Sequence, residues 1–219
     1  MSRIEAGDMP SILAIDLALS RTGLAGSVAE GGGHSPWAST FDTGRLAGHD
    51  RESAIIYEID TAVRVYRPDV VMLEDIYVPA VGKLGAGYLG LAFLHGVVRF
   101  YLRGRAPLLV VHNTHVKIFA TGDGGAGKQD VMLAVERGYG HLVAVSDDNQ
   151  ADAFAMLAMG CYYYGHPLRT MADKKLPETH LRALSKVVGW PSLNGSAPGT
   201  PVGPAAPSRR SGRAKAVGA

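Results

Sequence analysis

The sequence predicts an α/β domain built on a mixed five-stranded sheet flanked by helices. Three observations carry this reading. Short apolar runs at 12–15, 70–73 and 108–111 have the length and composition of buried strands. Stretches of helical period lie between and after them, at 50–66, 87–103 and 147–164. Residues 11–43 hold three strand-like segments whose turns are too short for a crossover helix, so these three strands run antiparallel.

Each element has a local cause. Ile12, Leu13, Ala14 and Ile15 form a strand after Pro10 and end in a single carboxylate, Asp16. A buried carboxylate is costly unless it is paired or sits on a metal, and taken alone Asp16 reads as a turn cap. Residues 23–28 give a second strand, Gly31 to Gly33 a turn, and 37–43 a third strand. Ala54, Ile55, Ile59, Ala62, Val63 and Tyr66 share one face of a helix that Pro68 stops. Val70 to Leu73 is again a strand ending in acid, here Glu74 and Asp75. A helix over 87–103 turns Leu91, Leu94, Val98 and Tyr101 inward; Arg99, Arg103 and Arg105 read as its wet side in preference to a DNA-facing set. The strand at 108–111 leads into a short polar–apolar segment, 113–117, and a glycine-rich loop, 122–127. Residues 128–138 form a helix with Val131, Leu133, Ala134 and Val135 inward.

Residues 147–152, Asp-Asp-Asn-Gln-Ala-Asp, open the most apolar helix. Acids in a first turn favour a helix N-terminus, which accounts for Asp147 and Asp148. It does not account for Asp152, a full turn further into a helix otherwise built of Ala, Phe, Met and Leu. A helix apolar nearly all round is buried. Asp148 and Asp152 are four apart and share a face, so they repel unless a cation lies between them. A last short helix is predicted over 179–188, with Leu181, Leu184 and Val187 inward. Residues 1–10 read as a loose leader, and 191–219 as a disordered Gly/Pro/Ser-rich tail. Its basic end is an unspecific phosphate binder or a linker remnant.

Composition bounds the function classes. One cysteine, Cys161, excludes a disulfide framework and a cysteine zinc site, and a buried hydrophobic role is expected for it. The net charge of +2 leaves a basic nucleic-acid face open. No secretory-type start and no run near the ~20 residues of a membrane span are present, so a cytoplasmic protein without a membrane partner is expected. Residues 122–129 nearly spell a phosphate-binding loop, but Gln129 stands where Ser or Thr would meet magnesium, which argues against an NTPase. Lys128 is then either a solvated residue on a mobile loop or a phosphate contact. Tyr162, Tyr163 and Tyr164 read as helix packing rather than a base-stacking platform.

The chemistry-bearing pattern is one acid at the end of the first strand, one at the end of a later strand and two on a late helix. Such oxygen ligands suit Mg²⁺ or Mn²⁺. Two ions about 4 Å apart clamp the oxygens of a phosphodiester during in-line displacement, so nucleic-acid hydrolysis is the natural chemistry.

Over roughly 11–165 the chain resembles the RuvC-type Holliday-junction resolvases of the ribonuclease H-like superfamily, particularly those of phages. The resemblance rests on Ile15-Asp16 with Ser20-Arg21-Thr22-Gly23 and on Leu73-Glu74 with Tyr77. It rests also on the helix from Leu91 through His95-Gly96-Val97, on Val116-Lys117, Gly127-Lys128 and Gln150-Ala151-Asp152-Ala153. It implies a ribonuclease H-like sheet of three antiparallel and then parallel strands over residues 11–190. It implies a homodimeric, divalent-metal-dependent endonuclease that cuts four-way or branched DNA in recombination, repair or replication. Asp16, Glu74 and Asp152 would hold two Mg²⁺, replaceable by Mn²⁺. A fourth acid is assigned to Asp148, with Asp147 in reserve, because the position three before Asp152 is Asn149. Lys117, Lys128, Arg21 and Tyr77 would contact DNA, Lys128 also taking part in catalysis; Tyr77 is equally a core aromatic. The Pro-Gly usual after the first Asp is Leu17-Ala18 here. A nuclease of this fold acting on RNA or RNA–DNA hybrid, and a non-catalytic DNA-binding relative, are the alternatives. Four acids without a metal would only destabilise the fold, which argues against the latter.

Overall fold

The computed structural model of the chain describes residues 10–30, 33–76, 85–168, 170 and 175–193. Five strands form one sheet: β1 (Ile12–Asp16), β2 (Arg21–Glu30), β3 (Gly33–Asp42), β4 (Val70–Asp75) and β5 (Leu108–His112). Six helices accompany it: α1 (Gly48–Tyr66), α2 (Ala86–Leu102), α3 (Asn113–Thr121), α4 (Lys128–Tyr139), α5 (Asp148–Tyr163) and α6 (Glu178–Lys186). The strand order is β3-β2-β1-β4-β5. The first three strands pair antiparallel, and β4 and β5 join parallel, as the sequence predicts.

Side-chain alternation divides the interior. Ile12, Ala14, Val70 and Met72 face α3, α4, α5 and α6. Leu13, Ile15, Val71 and Leu73 face α1 and α2. The same parity governs what lies beyond the apolar runs. Asp16 and Glu74 continue the α5 side, and Asp75 continues the α2 side. A strand buried on both faces carries no polar residue until its end, which is why these carboxylates appear only there.

Two glycines set the depth of α5. A β-carbon at Gly160 would lie 2.6 Å from the Met72 sulfur and 3.1 Å from Ile12 Cδ1. A β-carbon at Gly23 would lie 2.1 Å from the Asn149 carbonyl oxygen. The helix therefore rests directly on β1, β2 and β4, and it is buried along most of its length.

Several expectations are corrected. Residues 113–117, read from the sequence only as a short polar–apolar segment, are the first turns of α3; the His112 side chain caps it by accepting from the Thr114 N–H. Val116 and Phe119 then pack inward. Leu133 is exposed rather than inward, because Val131, Val135 and Tyr139 at spacing four define the buried stripe of α4. β2 and β3 are longer than predicted, and Arg21-Thr22 belong to β2 rather than to a turn. Arg99 is not simply solvated, since it is paired with Asp75. The glycine loop is packed rather than loose at Gly124, whose β-carbon would meet Thr114 Cγ2 at 2.5 Å. Tyr163 stacks on Trp190 at 3.7 Å, and packing continues to Leu193. Cys161 is fully buried, as expected. Most of the leader, the tail from 194 and Gly31-Gly32 lie outside the described residues. Among the described residues no helix is long and apolar enough to cross a membrane.

Candidate metal centre and nucleic-acid face

Three elements deliver three carboxylates to one place. Asp16 comes from the end of β1, Glu74 from the end of the parallel neighbour β4, and Asp152 from the second turn of α5. One oxygen of each lies within 4.8 Å of the others. The loop after β1 is tied by Thr22, whose hydroxyl donates to the Ala18 carbonyl at 2.9 Å, and by Thr43, which donates to the Leu19 carbonyl at 2.8 Å. The start of α5 is fixed by Asp147, which accepts from the Gln150 N–H at 2.8 Å and from the Thr40 hydroxyl at 3.0 Å. Gln150 in turn accepts from the Ser146 N–H at 2.9 Å, which holds the residue before the cap as well. Asp147 is thus a cap.

The electrostatics are those of crowded, buried acids. Burial, reinforced by Glu74 and Asp152, raises Asp16 well above the usual carboxylate range. Burial also raises Glu74, against the hydrogen bond from Asn113. Asp152 is pushed up to about 7, chiefly by burial and then by the charge of Glu74. Glu74 Oε2 and Asp152 Oδ1 are buried without a hydrogen-bond partner among the described residues. Buried acceptors are almost always satisfied, so two orphaned carboxylate oxygens in one cluster mark a place for a cation. The donor set is all hard oxygen and fits a divalent ion of the magnesium or manganese kind. Asp16, Glu74 and Asp152 would hold it, and when bound it supplies positive charge and Lewis acidity toward a phosphodiester.

The other predicted residues surround this cluster. Asp148, at the first position of α5, does not join the three acids but forms an ion pair with Lys128. That hydrogen bond lowers Asp148 and raises Lys128. Lys117, on α3, lies close enough to act on both Glu74 and Asp152. Arg21 pairs with Asp42 at 3.4 Å on the exposed rim. Tyr77 lies outside the described residues. Asn113, which donates to Glu74 Oε1, escaped sequence reasoning. A signal for it existed: it follows β5 directly, at the same end of a parallel strand as Asp16 and Glu74.

No family model matches the chain. Its sequence is similar to crossover junction endodeoxyribonuclease RuvC of Gloeobacter violaceus, with 27% identity over 124 residues, covering 56% of this chain and 69% of that protein. Its fold is similar to that of Thermus thermophilus RuvC, with a TM-score of 0.53 and 22% identity over 71% of this chain and 97% of the other. The same protein in complex with Holliday junction substrate gives a TM-score of 0.50 and 19% identity, covering 68% and 90% of the two chains. In sequence and in fold the chain is similar to RuvC, and its mixed five-stranded sheet flanked by helices fits an α/β fold of the ribonuclease H type.

Proposed function

We propose that the chain is a crossover junction endodeoxyribonuclease that resolves four-way or branched DNA by phosphodiester hydrolysis. The observation that carries this reading is the convergence of Asp16, Glu74 and Asp152, two of which hold a buried oxygen without a hydrogen-bond partner among the described residues. The similarity to RuvC in sequence supports it independently. The ions are Mg²⁺, with Mn²⁺ as substitute, and two are expected. Asp148 serves as the fourth ligand, supported by its place one turn before Asp152 on α5.

Lys117 and Lys128 flank the acids and hold the scissile phosphate, and Arg21 extends the basic rim. Tyr77 contacts the junction bases. The protein acts as a homodimer. Support for this comes from α2, which exposes Leu89, Phe93 and Phe100 to 64%, 60% and 79% along one stripe. Contiguous exposed apolar side chains of this size mark an interaction surface.

The test compares cleavage of a synthetic four-way junction, a matched linear duplex and an RNA–DNA hybrid, each with and without Mg²⁺. Metal-dependent cutting confined to the junction is expected. Equal cutting of the linear duplex would remove junction specificity while leaving a nuclease. Asp16→Asn should abolish cutting with junction binding retained, and persistent cutting would refute the role of Asp16.

A further inference from the structure

Glu74 and Asp75 leave β4 on opposite faces of the sheet. Glu74 enters the acidic cluster, and Asp75 turns toward α2. There Arg99 binds Asp75 Oδ1. The same Asp75 oxygen accepts the Ile76 N–H at 3.0 Å, so this carboxylate also fixes the backbone leaving the strand. Arg99 Nε is buried and unpartnered among the described residues, as is His95 Nδ1 one turn earlier on α2. Burial pushes His95 down to about 4, so at neutral pH it adds no charge beside Arg99.

This end of β4 needs an external hold. Its ladder with β1 runs only as far as Ile15↔Leu73. Glu74 and Asp75 pair with Val111 and His112 of β5 alone. On the cluster side, Asp16 and Asp152 repel the Glu74 carboxylate, and a strand end paired on one edge yields readily to such a force. The grip on Asp75 opposes it from the other face.

We propose that Arg99 is a positioning residue for Glu74: by clamping Asp75 to α2 it fixes the end of β4, and so the depth at which the Glu74 carboxylate enters the acidic cluster. The proposal rests on the metal-dependent reading of that cluster. Arg99 touches neither substrate nor ion, and acts through the strand.

The test is Mn²⁺ affinity by titration calorimetry on the full chain, alongside junction cleavage and thermal melting. Arg99→Gln should weaken Mn²⁺ binding about tenfold and lower kcat by a similar factor while leaving KM for the junction unchanged. Asp75→Asn, which keeps the side-chain shape, should do the same, and it carries the test if Arg99→Gln fails to fold. The double variant should be no worse than either single one, because both remove one interaction. Arg99→Lys should recover part of the affinity. Folded Arg99→Gln and Asp75→Asn proteins that bind Mn²⁺ within twofold of the parent would overturn the proposal, even if their melting temperatures fall. A parent protein that binds no Mn²⁺ would overturn both the clamp and the metal reading.

Discussion

Gly23 of β2 and Asn149 of α5 approach so closely that no side chain fits between them: a β-carbon on Gly23 would stand 2.1 Å from the Asn149 carbonyl. Gly23 also pairs with Asp16 across the β1–β2 ladder. This single contact therefore sets the start of α5 against the strand that ends in the first acid. Gly23→Ala must lift the helix or push β2 aside, and Asp152 moves with it. Overpacking of this kind costs about 1–3 kcal/mol. The expected outcome is a lower melting temperature together with weaker Mn²⁺ binding in the protein that remains folded. Unchanged metal affinity would show that the approach matters only for packing.

Asp152 gives a pH signature. Its folded carboxyl titrates near 7, whereas an unfolded one titrates near 4. Between those values the folded protein holds the extra proton, so this group's stabilising effect is complete below about pH 4 and is lost as pH rises through about 7. His95, pushed down to about 4, contributes the opposite slope in an overlapping window. The comparison that isolates Asp152 is therefore with Asp152→Asn. In EDTA, this variant should gain stability over the parent progressively from pH 4.5 to pH 8, by on the order of 2–4 kcal/mol. Denaturant melts across that range measure the gain, and Mg²⁺ should erase it by stabilising the parent alone. A difference that stays flat with pH would mean that Asp152 keeps an ordinary carboxylate affinity for protons.

Much of this was legible in the chain. Strands buried on both faces are continuous apolar runs, so their ends, and the acids there, stand out directly. Asp152 stood out because a carboxylate inside an apolar helix has no packing reason to be there. What the sequence could not disclose is pairing between side chains. Asp148 shares a helical face with Asp152, yet spacing along a helix says nothing of Lys128, which reaches it from the N-terminus of α4. Arg99 looked like the wet side of α2 because its partner, Asp75, comes from a strand 24 residues away. α3 was missed because its cap is a histidine, an uncommon choice, and its nine residues are too short for a strong period.

The Lys128–Asp148 pair makes the role of the lysine measurable. If Lys128 neutralises a DNA phosphate, Lys128→Gln should reduce the slope of log binding constant against log salt by about 0.9. Lys117→Gln should do likewise. Fluorescence anisotropy of a labelled junction in Ca²⁺, to suppress cutting, measures it. An unchanged slope in Lys128→Gln would leave this lysine as a partner of Asp148 alone.

The outer face of α2 separates assembly from chemistry. Leu89, Phe93 and Phe100 recur at helical spacing and remain exposed, while Leu94, Val98 and Leu102 of the same helix are buried against the sheet. On the proposed dimer reading, this outer side is where a second copy packs. Phe93→Glu places a charge at the centre of the exposed stripe, where a second copy would have to desolvate it. Light scattering should then report a monomer where the parent is a dimer. Mn²⁺ affinity should hold, because the acids come from β1, β4 and α5. Paired cutting of the two opposed junction strands should be lost, with single nicks remaining. A Phe93→Glu protein that stays dimeric would move the self-association surface elsewhere on the molecule.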